Sequence, residues 1–296
     1  MRDGNKFKTL CQLEFLESIS CIAFSHGSQF MACGSTGGTV QIVETAPAWS
    51  VSMVIDAGTP VKSLSFSNDN ERLAIVGEND EILTLLDPEK DFSPELHMEQ
   101  ESPITATEWG SEYLAVACED SRVLIHETRK VFENCDEACK TLIRKSPAKA
   151  LSFGSGSRFL VVGGEDSMLG VYSSQGKWAL IHRICTDIPI SYLQWSPDSG
   201  RHLAVGNSRN VKILDTVFWA DVEEAQDVFS DEMEEVRECN AIDGFPSSDD
   251  ECAIQGSQCL AFSQDGKFLA FSHESTGRTK VVNTATWDVV YKLDQL

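Results

Sequence analysis

The chain has 296 residues, 42% of them hydrophobic, and a net charge of −22 from 46 acidic and 24 basic residues. That length suits one large all-β body, able to bury about three quarters of its unfolded surface without disulfides or metals, and the apolar content excludes a disordered chain. The acidity argues against direct binding to DNA or RNA, whose affinity rests on Lys and Arg displacing counterions, and it favours basic protein partners.

In chain order, KFKTLCQLEFLE (residues 6–17) reads as a strand that precedes a series of repeats. ISCIAF then ends at Phe24, and the pattern recurs as VKSLSF ending at Phe66, ITATEW at Trp109, AKALSF at Phe153, ISYLQW at Trp195 and SQCLAF at Phe262. The intervals are 42, 43, 44, 42 and 67 residues; all but the last match the ~40 to 45 residues of a four-stranded propeller blade. Polar turns such as SHGS, SNDN, SPDSG and SQDG lead into second strands (FMACG, LAIVG, LAVAC, FLVVGG, LAVG, FLAFS) whose unbroken apolar runs predict burial on both faces. Acid-rich turns (ENDE, EDSR, EDSM, ESTGR) connect these to third strands (VQIVET, ILTLLD, VLIHET, LGVYS, VKILD, TKVVN), and Trp49, Trp178, Trp219 and Trp287 open fourth strands. Helix is hardly indicated. DPEKDFSPELHMEQES, from Asp87, reads as a surface loop, and the stretch from Cys135 through Cys139 to Lys145 contains the fourth strand of blade three.

A single such sheet cannot bury both faces alone, so the repeats must stack. The expected fold is therefore an all-β β-propeller of four-stranded antiparallel blades: six complete blades plus an N-terminal orphan strand, either a six-bladed ring or part of a seven-bladed one. A single domain over 1–296 is expected.

These repeats resemble the WD-repeat β-propeller family over about 280 residues. Leu86-Asp87 and Leu214-Asp215 stand at the family's Trp-Asp position, and Asp80, Asp120 and Asp166 match its structural turn Asp; the family's Gly-His dipeptide is absent. The resemblance implies a protein-binding role.

Residues 221–251 hold 13 acids against Arg237, supplying −12 of the net charge. The resemblance places this insert, between blades five and six, on the same face as the second-to-third-strand turns. Glu78, Asp80, Glu119, Asp120, Glu165, Asp166 and Glu274 from the turns would then join Glu223, Glu224, Glu234 and Glu235 from the insert in one negative, partner-binding face. Val222, Ala225, Phe229, Met233 and Val236 fall near a 3.6-residue period, so the insert reads as a flexible loop or as a short amphipathic helix that docks Phe229. Ser247 and Ser248, before Asp249, Asp250 and Glu251, suit an acid-directed kinase.

The cysteines show no CxxC pair and no zinc-type cluster; Cys21, Cys33 and Cys118 lie in apolar strands, where a reduced thiol acts as a small hydrophobe. Gly37-Gly38 and Gly163-Gly164 precede no helix or Lys-Ser/Thr pair and read as hairpin turns rather than phosphate loops. The six histidines are scattered, and there is no G-x-S-x-G or H-E-x-x-H motif. No sequon, leader-type opening or spanning-length apolar run occurs. The expectation is a cytoplasmic or nuclear, non-catalytic scaffold or adaptor of a multiprotein complex. It binds other proteins through basic or amphipathic segments, with no catalytic residues, cofactor, metal, small-molecule substrate or membrane insertion. The alternative is the regulatory propeller of an enzyme system, such as a nucleotide-exchange factor for a small GTPase acting through the insert.

Overall fold

The computed structural model describes residues 16–47, 49–133, 137–197, 201–207, 211–216, 260–263, 265–273, 278–286 and 289–293. Among these, the chain forms six consecutive antiparallel sheets, the blades of an all-β propeller. Two compact units can be distinguished, Met1–Glu99 and Gln100–Leu296.

The first unit holds blade one, β1 (Ile19–Phe24), β2 (Phe30–Ser35), β3 (Thr39–Glu44) and β4 (Ser50–Asp56), and blade two, β5 (Val61–Phe66), β6 (Leu73–Gly77), β7 (Ile82–Asp87) and β8 (Ser93–Glu99). In the second unit, blade three is β9 (Ile104–Trp109), β10 (Tyr113–Cys118), β11 (Arg122–Glu127) and β12 (Lys140–Ile143), and blade four is β13 (Ala148–Phe153), β14 (Phe159–Gly164), β15 (Met168–Ser173) and β16 (Ala179–Cys185). Blade five shows β17 (Tyr192–Trp195), β18 (His202–Gly206) and β19 (Val211–Asp215), and blade six β20 (Leu260–Phe262), β21 (Phe268–His273), β22 (Arg278–Asn283) and β23 (Val289–Leu293). Every sheet is ordered as its strands occur in the chain.

The apolar second strands are the sheet centres. LAIVG and the last five residues of YLAVAC are buried throughout, as their composition predicts. In the first unit Ala32, Val40 and Ile42 pack on Val61, Leu64 and Leu73 between the two blades. In the second, Ala115, Ala117 and Ile125 of blade three meet Leu151, Leu160 and Val162 of blade four, and Val161, Leu169 and Val171 meet Leu203 and Val205 of blade five. Each fully buried Val, Leu or Ile among them is worth ~1.5 to 3 kcal/mol against leaving it in water. Trp178, just ahead of β16, sets its ring edge-on to Tyr113 of blade three at 4.9 Å.

The hairpins between first and second strands share one device. Ser25, Ser67, Ser196 and Ser263, each just after the strand-ending aromatic, accept through Oγ from the N–H of Phe30, Arg72, His202 and Phe268 at 2.9 to 3.1 Å. The side chain closes the turn that the backbone alone leaves open.

Three expectations need correction. DPEKDFSPELHMEQES is not a loop throughout, since it contains β8, paired with β7 from Ile82–Glu99 to Asp87–Ser93. Pro94 is tolerated because β8 is the outer strand, whose missing N–H removes no ladder bond. A short helix, α1 (Thr128–Phe132), follows β11 and buries Val131. Gly163 and Gly164 end β14 rather than form the turn, because the link to the next blade crosses there: a Cβ on Gly163 would lie 2.6 Å from Ile190 Cγ2. The predicted strand over residues 6–17 falls, up to residue 15, outside the described residues, as do Trp219, Trp287 and the acidic insert.

Candidate functional site

The turns between second and third strands begin as one local conformation. In blades one, three and four the fourth residue donates its N–H to the first residue's carbonyl, Gly38 to Ser35, Ser121 to Cys118 and Ser167 to Gly164, at 3.2 to 3.3 Å. That residue is left-handed, with φ of +91°, +71° and +60°, the bulged turn suited to joining twisted strands. At Gly38 glycine is required twice, for the positive φ and because a Cβ would stand 2.9 Å from Thr59 O.

The acids of these turns divide into two roles. Asp80, Asp120 and Asp166 each accept, through Oδ1, the N–H two residues on, from Ile82, Arg122 and Met168, at 3.0 to 3.2 Å. They shape the turn. Glu78, Glu119 and Glu165 stand exposed on the same turns.

The interblade links run past these turns. Glu78 N donates to Pro60 O at 2.7 Å, Glu119 N to Pro103 O at 2.9 Å, and Asn207 Nδ2 to Pro189 O at 2.9 Å. In the second unit the turns of blades three and four are tied by one residue. Arg144 donates its backbone N–H to Ser121 O at 3.0 Å, and its guanidinium reaches Asp166 Oδ1 at 3.1 Å, Val162 O at 2.7 Å and Met168 O at 3.1 Å. Glu119, Asp120, Glu165 and Asp166 therefore share one edge of this unit, while Glu78 and Asp80 lie on the corresponding turn of blade two in the first unit. Glu274 and the insert residues Glu223, Glu224, Phe229, Glu234 and Glu235 lie outside the described residues, together with Ser247 and Ser248.

The acidic edge also contains cations that composition alone did not bring out. Arg122 pairs with Asp120 at 2.6 Å and with Glu101 at 2.9 Å, and Lys212 Nζ donates to Thr186 O at 2.6 Å. Asp120 and Asp166 are thus paired with arginines within the blades, whereas no ion pair of Glu119 or Glu165 occurs among the described residues. The signal available in the sequence was the Asp-x-Arg spacing of Asp120 and Arg122.

The two third-strand aspartates each pair with an arginine. Asp87 is buried and lies 3.8 Å from Arg72 and 2.8 Å from Lys90, whose bond holds its carboxyl below the usual range. Asp215 pairs with Arg201 at 3.3 Å. In both blades the arginine immediately precedes the second strand.

Burial pushes the thiols of Cys33 and Cys118 up to about 11, as expected of cysteines packed as small hydrophobes. No group of three or more His, Cys, Asp or Glu suited to a metal occurs among the described residues, and no helix there is long and apolar enough to cross a membrane. One surface went unread in the sequence. On the face of blade one turned away from blade two, Ile22, Phe24 and Val54 are 50 to 58% exposed, with Trp49 edge-on to Phe24 at 6.3 Å.

Residues 10–44, which run through β1, β2 and β3, match the family model described as WD domain, G-beta repeat. No curated protein matches the chain.

Proposed function

We propose that this chain, a WD-repeat β-propeller, works as a non-catalytic scaffold or adaptor subunit of a multiprotein complex in the cytoplasm or nucleus. Propellers of such repeats generally bind other proteins. The observation that carries the finer reading is the division of labour in the turns: Asp120 and Asp166 are consumed by backbone and arginine contacts, whereas Glu119 and Glu165 project freely beside them. Carboxylates left unpaired on one edge of a rigid sheet stack suit basic or amphipathic segments of partner proteins, which they attract and orient.

Affinity capture with wild-type protein and with E119K/E165K, at low and at high salt, tests this reading. Partners held by these glutamates are released as screening rises and are lost from the double variant. Recovery of the same partners by the double variant at low salt would exclude this edge as the binding surface.

A further inference from the structure

The outer strand of a sheet exposes a row of N–H and C=O groups, which invites pairing with another chain unless charge, proline or shortness blunts it. In the five sheets that show four strands, the outer strands are β4, β8, β12, β16 and β23, and four of these are blunted. β8 carries Pro94 and Glu95, β12 has only four residues and starts at Lys140, β16 presents the exposed Arg183, and β23 contains Lys292. β4 is different. Its seven residues, SVSMVID, hold no proline and no charge before Asp56. The bulge it makes opposite Ile42 and Val43 has counterparts in β8, β16 and β23, so it does not set β4 apart.

The register fixes which groups of β4 face outward. Ala57 N donates to Gly38 O at 2.8 Å, and Ile55 and Met53 stand opposite Val40 and Ile42, so alternation turns the N–H and C=O of Ile55 and Met53 toward β3. Those of Val54, between them, point to the open edge, where its side chain is 58% exposed. On the face turned away from blade two, two cross-strand rows run to this edge. One joins Ile22, Cys33, Gln41 and Val54, and the other joins Phe24, Met31, Val43 and Val51. Both rows are exposed at their ends, Ile22 and Phe24 on β1 and Val54 and Val51 on β4. A third row ends on Asp56, opposite Thr39. Between residues 16 and 61 the sequence has no Lys or Arg, and its acids there are Glu17, Glu44 and Asp56.

We propose that β4 is a docking edge for an extended segment of a partner protein, which adds to blade one as a fifth strand. The segment that fits has apolar side chains opposite Val51 and Val54, continuing the two rows, and a lysine or arginine opposite Asp56. Main-chain bonds to Val54 hold it, and the cross-strand pairs select it. Charge decides between this occupant and a second copy of the chain. A second copy brings a net charge of −22, whereas a basic strand meets an edge whose charged side chains are acids. This edge belongs to the first unit and Glu119 and Glu165 to the second, so binding at one does not require the other.

The test is NMR titration and amide exchange of the full chain with a synthetic peptide of about nine residues, alternating valine and threonine with lysines at its ends. Two further peptides replace the lysines by glutamates or the central valine by proline. The lysine peptide should slow exchange at Val54, the glutamate peptide should bind more weakly, and the proline peptide should not bind. V54P, which removes the outward N–H while leaving the ladder to β3 intact, should weaken binding about tenfold or more. E119K/E165K should bind the lysine peptide as wild type does. Unchanged exchange in β4, equal binding of the lysine and glutamate peptides, or equal binding by V54P overturns the proposal. So does self-association of the wild-type chain in sedimentation that V54P abolishes, because the occupant is then a second copy. Should V54P not fold, V54K, at a side chain already exposed, decides in its place.

Discussion

Arg144 binds Asp166 at 3.1 Å with its own side chain 6% exposed, and the same residue holds the turn of blade three through its backbone. Its guanidinium also satisfies two carbonyls of blade four, Val162 O and Met168 O. R144A removes the arginine donor from those carbonyls and leaves the Asp166 carboxylate with the Met168 N–H alone, so a loss of ~2 to 4 kcal/mol is expected in urea denaturation. R144K, unable to form the planar fork, should recover only part of it. A double-mutant cycle with D166A should give a coupling of ~1 kcal/mol or more.

The aspartates and glutamates of the turns separate in their effects. D120A removes the acceptor for Arg122 N and should lower stability by ~1 kcal/mol, readable as a fall in Tm. E119K and E165K should leave Tm within ~2 °C of wild type while weakening partner capture, because exposed glutamates hold no part of the fold together.

Two carboxylates give opposite pH dependences. Glu108 keeps its proton to about 8 in the folded chain against 4.5 in the unfolded one. Between these values the folded state binds more protons, so stability falls as pH rises and levels off above about 8. E108Q should flatten this limb in denaturant midpoints measured from pH 5 to 9. Asp87 is lowered by Lys90, with Arg72 adding to the effect, so its contribution is present above 3.8 and disappears as pH falls through its folded value. D87N should abolish that acid-side loss.

Cys33 and Cys118 are 1% and 0% exposed, and their thiols titrate at about 11. Alkylation at pH 8 should modify the exposed Cys139 in the native protein while sparing these two. All three should react in denaturant, as peptide mass spectrometry would show. Native-state labelling of Cys118 at the rate of Cys139 would contradict the packing of β10.

What was legible in the sequence is what a repeat period and local polarity can encode. The aromatics Phe24, Phe66, Trp109, Phe153, Trp195 and Phe262 each end a first strand, and the aliphatic runs after them are the buried centres. The strand β8 was missed because Pro94 and its charged neighbours resemble a loop, and only its outer place in the sheet makes them compatible with pairing. The split between Asp120 and Glu119 was not readable, since both are acids in one turn and only the backbone decides which is consumed. The bonds of Ser152 and Gln194 across the blade junctions were not readable either, since their partners stand 43 and 68 residues away, beyond the reach of any local pattern.

The most direct test of the scaffold reading is salt-dependent affinity capture from cell extract with wild type, E119K/E165K and D120A side by side. Partners should elute from wild type with rising salt, be absent from the glutamate double variant, and still bind D120A when it is folded. Capture that ignores salt and survives E119K/E165K would contradict it.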